Sequence, residues 1–80
     1  MESIPVSFTS KGQIYKGQLQ RVSGAGNNAL FHVIIDKLYR GQIHYSEASA
    51  RWMYTSNDGK FQDQEDYFIA ALTAAYGAEP

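Results

Sequence analysis

Eighty residues with a 14% aromatic share and no cysteine have room for one hydrophobic core and no second. The missing cysteines exclude a disulfide framework, thiolate catalysis and thiolate metal sites. Seven Lys+Arg against eight Asp+Glu give a net charge of −1, which argues against nucleic-acid binding by the domain as a whole.

Residues 1–5 (MESIP) show neither a basic stretch nor a long apolar run, so no secretory leader is expected. No apolar segment approaches the roughly 20 residues of a membrane helix. The expectation is a cytoplasmic protein with no membrane partner, a single domain over residues 1–80.

The pattern then predicts five strands and a helix. Over residues 3–10, Ile4, Val6 and Phe8 alternate with Pro5, Ser7 and Thr9, the period of a half-buried strand. Pro5 cannot donate to a ladder and places this strand at an edge. Ser10-Lys11-Gly12 is a turn signal. In the second strand, 13–22, Ile14 and Val22 share one parity while Tyr15 and Leu19 share the other, and a bulge near Gly17 would reconcile them. Residues 23–29 (SGAGNNA) form a loop. Its glycines do not make a phosphate cradle, because a strand follows where a helix is needed.

The third strand, 30–36, sets Phe31, Val33 and Ile35 against Leu30, His32 and Ile34. After a tight turn, the fourth, 39–46, sets Tyr39, Gly41, Ile43 and Tyr45 against Arg40, Gln42 and His44. Gly41 in the inner row leaves space for a large neighbour such as Trp52. The fifth, 51–56, carries Trp52 and Tyr54 on one side. Asn57-Asp58-Gly59 ends the sheet. A helix over 64–76 follows, with Asp63 as N-cap, acidic Glu65 and Asp66 at its positive end, and Gly77 beyond its last turn. Phe68, Ile69, Leu72, Ala75 and Tyr76 form its apolar stripe. Connections this short require antiparallel pairing. The fold class is therefore α+β: a five-stranded antiparallel meander, open or curled, packed by one C-terminal helix.

The helix is expected to cover the row containing Ile4, Val6, Phe8, Phe31, Val33, Ile35, Ile43, Tyr45, Trp52 and Tyr54. Alternation then turns Lys16, Gln18, His32, Arg40, Gln42, His44, Arg51 and Met53 to the open face. Of these, Lys16, His32, Arg40, Gln42, His44 and Arg51 are the candidate binding residues. His32 and His44 share that face on neighbouring strands, and with Asp36 or Glu47 would make a metal or small-ligand sensor. No metal motif supports this, and two solvated cross-strand histidines are the simpler account of the pattern. Lys16, Arg40 and Arg51 suggest a single-strand nucleic-acid platform. The parity that turns these cations outward turns Trp52 and most tyrosines inward, separating charge from stacking.

No nucleophile–base–acid arrangement is present, and no enzyme activity or cofactor is expected. Two sheet edges invite strand addition by a partner. The expectation is a non-catalytic protein-interaction module acting through the open face or a free edge. A second copy of the chain, forming a homodimer, is one form such a partner takes.

Tyr39-Arg40-Gly41-Gln42-Ile43, then Trp52, then the acidic-capped helix ending Ala74-Ala75-Tyr76-Gly77 resembles small uncharacterised single-domain proteins of Bacteroidetes bacteria. In those, a Y-x-G-x-Ile strand precedes a Trp-bearing strand and a closing helix. The resemblance spans about 31–77. It implies the same meander-plus-helix fold and a bacterial source, and carries over no activity or site residue.

Overall fold

The computed structural model describes residues 3–22 and 30–77. The strands are β1 (Ser3–Ser10), β2 (Gln13–Arg21), β3 (Leu30–Ile35), β4 (Leu38–Ser46) and β5 (Arg51–Ser56). A 3-10 turn over Gln62–Gln64 leads into the helix α1 (Glu65–Tyr76). The strands pair strictly in chain order, all antiparallel, and curl into a half-barrel. The expected loop 23–29 lies outside the described residues.

Two-residue turns set the first and third hairpins. Lys11 and Gly12, and again Asp36 and Lys37, all adopt positive φ, as the strand-matching hairpin turns require. Ser10 then pairs with Gln13 and Ile35 with Leu38. Between β4 and β5 the Ser49 N–H donates to the Ser46 hydroxyl.

The core fills the concave side. Val6, Phe8, Leu19, Phe31, Val33, Ile35, Ile43, Trp52 and Tyr54 meet Phe68 and Leu72 of α1, and Phe61 joins from the approach to the helix. Among the described residues no polar or charged side chain is buried with them. Phe8 has rings on four sides, Tyr15, Phe61, Tyr67 and Phe68, at centroid distances of 5.4–5.8 Å. Such edge-on and tilted contacts add to the burial itself.

Strand β2 has no bulge at Gly17. It pairs continuously with β1 and β3, and Ile14 is left 71% exposed. Gly17 serves a different purpose, because a Cβ there would lie 2.0 Å from the Ile34 carbonyl oxygen. The sheet's irregularity falls in β4. Val33 pairs with Gly41 while Ile34 pairs with Tyr39, so Arg40 is the extra residue of a bulge. One inserted residue reverses the facing of everything before it. Tyr39 therefore turns to the open face, with its ring 5.0 Å from His32, and Arg40 turns inward, correcting the expected parity of both. The aromatic ring lying over Gly41 is that of Tyr54 rather than Trp52, 3.0 Å from where a Cβ would stand.

Asp63 is not the N-cap. It lies within the 3-10 turn, and Gln64 takes the cap position without a side-chain bond. The helix ends where Gly77 N–H donates to the Thr73 carbonyl. Phe68 and Leu72 are fully buried, and Tyr76 reaches Phe31 at 5.5 Å. Ala75 is exposed and does not contribute to the buried stripe.

Candidate functional site

Three surfaces come into question: the sheet edges, the open face and the end of the half-barrel where Arg40 lies.

The edges are partly occupied by the chain itself. Along β5, Tyr54 N–H donates to a Glu65 carboxylate oxygen at 2.8 Å. The Gln62 side-chain amide accepts from Ser56 N–H at 3.1 Å and donates to the Tyr54 carbonyl at 2.8 Å. Gln62 thus imitates one residue of a sixth strand. Along β1, Pro5 offers no N–H, and Ser7 N–H donates to the Tyr67 hydroxyl at 3.0 Å. Glu65 and Tyr67 are two positions apart, about 200° around a helix. They therefore point to opposite sides, each reaching one outer strand. The acidic residue read as serving the helix dipole alone also closes an edge.

The open face carries five of the six candidate residues. Across β2 to β5, Gln20, His32, Gln42 and Thr55 form one row of partners, and Leu30, His44 and Met53 the next. Lys16 and Arg51 lie towards opposite ends, and Arg40 has left for the concave side. His32 and His44 are diagonal neighbours, since His32 faces Gln42 and His44 faces Leu30. The His44 Nδ1 is sealed from solvent and forms no hydrogen bond. Asp36 and Glu47 sit in exposed turns, and among the described residues no three metal-ligating side chains come together. None of the five strands contains Asp or Glu. Among the described residues the carboxylates lie in the turns, the 3-10 turn and the helix, Asp36 bordering the face beside Lys16 and Lys37, so the strands give it only cations on a chain of net charge −1.

At the end of the half-barrel, the β1–β2 turn and residues 58–63 border an open cleft of about 590 Å³. Its walls include Lys11, Tyr15, Arg40, Lys60 and Phe61, with Asp58 and Asp63 at the same opening. Arg40 Nε donates to the Ile35 carbonyl at 3.3 Å, and its guanidinium carbon stands 5.3 Å from the Phe61 ring centre. Tyr15 and Phe61 meet edge-on at 4.9 Å. The Asp58 carboxylate accepts from Lys60 N–H at 3.0 Å, and this bond is the main cause of its lowered pKa. Burial is the main reason the Tyr54 phenol is raised above its ordinary value. Its hydroxyl is 3.3 Å from the Lys60 carbonyl. Sequence reading reached only Arg40 of this group. The available signal was Phe61, a lone aromatic between a turn and a helix start.

Fold and surfaces together define a small α+β half-barrel with one open face and one end cleft. No protein-family model, curated protein or solved structure matches the chain. Function is therefore to be read from the side chains themselves.

Proposed function

We propose that the chain is a non-catalytic interaction module of the cytoplasm that engages an acidic surface of a protein partner through its open sheet face. The absence of cysteine fits a reducing compartment. The observation that carries the reading is that the strands contribute cations and no carboxylate to this face, Asp36 bordering it beside Lys16 and Lys37 at the β3–β4 turn. Half-buried Leu30, Ile34 and Met53 lie there among Gln18, Gln20, His32, Gln42 and His44, with Lys16 and Arg51 as its charges. Mixed apolar and amide surface with sparse cations suits a protein partner, whose affinity comes from buried contacts and whose orientation comes from charge. The hydrogen bonds already made at Ser7, Tyr54 and Ser56 favour the face over strand addition at an edge.

The test compares the tagged protein with a Lys16→Glu/Arg51→Glu variant, both passed through extract of the native cell. A protein held by the wild type and lost from the variant, with unchanged thermal unfolding of the two, is expected. His32→Ala should weaken the same complex. Equal retention by both forms, or retention by neither, would refute the reading. Recovery of nucleic acid, released steeply by salt, would replace it with the polyanion alternative.

A further inference from the structure

We propose that the end cleft is a second, separate binding site, for a small ligand that carries a carboxylate or phosphate on a flat ring. Three cations from three separate segments converge there: Lys11 from the β1–β2 turn, Arg40 from the β4 bulge and Lys60 from the approach to the helix. None of them stands within ion-pair distance of a described carboxylate, though the Lys60 charge helps to hold Asp58 ionised. Arg40 reaches the cleft only because the bulge reverses its facing. Its Nε bond to the Ile35 carbonyl and its place over Phe61 fix the plane of the guanidinium. The terminal nitrogens of the fork have no partner among the described residues. A fixed, unpaired fork is suited to a two-oxygen anion.

Two carboxylates share the opening, and they do not cancel this charge equally. Asp58 accepts from Lys60 N–H on Oδ1, the same oxygen that stands 3.4 Å from the Ser56 hydroxyl, and its carboxylate stays ionised and offsets chiefly the neighbouring Lys60 charge. Asp63 lies exposed within the 3-10 turn and lines the same opening, so three cations face two carboxylates there and the cleft keeps a positive excess. The apolar portion of the site is the Tyr15–Phe61 pair. Phe61 holds a left-handed backbone, φ 62°, to place its ring there. The Phe61 ring is itself largely buried in the core, so half-buried Tyr15 offers the accessible part of this apolar wall. At about 590 Å³ the cleft is of the size that small ligands occupy.

Benzoate and phenyl phosphate are the probes, titrated into isotope-labelled protein while the backbone amide signals are followed. Saturable shifts at Lys11, Arg40, Lys60 and Phe61, with the amides of β3 unmoved, are expected from at least one of them. Which probe binds more tightly separates a carboxylate from a phosphate ligand. Arg40→Gln should weaken binding roughly tenfold or more, as loss of a charge-assisted bond pair implies. Lys11→Gln and Lys60→Gln, both at exposed positions, should each weaken it with the fold intact, and Lys16→Gln on the open face should not. No saturable shift with either probe, or unchanged binding in both Lys11→Gln and Lys60→Gln, would overturn the site. Inorganic phosphate binding as tightly as phenyl phosphate would overturn the aromatic half of the proposal.

Discussion

Gly41 stands at the most crowded backbone position of β4. A Cβ added there would meet the Thr55 carbonyl oxygen at 2.3 Å, and its φ of 155° is one that side chains rarely adopt. Gly41→Ala should therefore cost about 2–4 kcal/mol, read as a lowered denaturation midpoint. The ring above it gives a pH signature. Tyr54 has its phenol pKa raised, chiefly by burial, with the Asp58 charge adding to it and the Ser56 bond and Arg40 charge opposing. In the unfolded chain a tyrosine loses its proton near about 10. The protonated phenol is favoured by the fold, so its contribution is complete below that pH and is lost as pH rises through the higher folded value. Denaturation at about pH 9 and about pH 11 should show a smaller decline for Tyr54→Phe than for the wild type. Alternation alone revealed Val6, Phe8, Phe31, Val33, Ile35, Ile43, Trp52 and Tyr54 as core. It misplaced Tyr39 and Arg40, because a bulge inserts a residue without any mark in the hydrophobic pattern. Phe61 was missed for a related reason: outside any periodic segment, its only mark is to be a lone aromatic between a turn and a helix start.

Among the elements, β5 is tied side chain to backbone to the 3-10 turn and to the start of α1. Gln62 makes both of its amide bonds to β5, and Glu65 makes a third. The expected result of Gln62→Ala/Glu65→Ala is a loss of about 1–3 kcal/mol, since edge groups partly recover their bonds from water. The exposed edge should also make the variant self-associate. Sedimentation velocity over a range of concentrations checks this, and a variant that stays monomeric would show that the edge needs no such cover. The strands and helix themselves were legible to within a residue or two at each end. Their edge chemistry was not. Glu65 read as a helix-start acid and Gln62 carried no signal, and only the fold brings them beside β5.

At the scale of the whole molecule, one cluster of side chains joins both layers. Phe68 and Leu72 touch a core drawn from all five strands. A helix of 12 residues is marginal by itself in water. Leu72→Ala should accordingly cost about 2–5 kcal/mol, with helical and aromatic signals lost in one transition. Two separate transitions would mean that the layers unfold independently. Among the described residues, no helix is long and apolar enough to cross a membrane. The meander order was legible from connections too short for crossovers. The curl was left open, because nothing in a strand's own pattern states how far its neighbours turn.

The bond from Tyr67 to Ser7 joins residues 60 positions apart, the first strand to an element that follows every other strand. On a ribosome the hairpins can pair one after another as they emerge, but Val6, Phe8 and their neighbours remain wet until the helix is free of the exit tunnel. For that interval the nascent chain is a sheet with its greasy side and both margins bare. Any delay in delivering the helix to the emerged strands prolongs the state most exposed to misassembly.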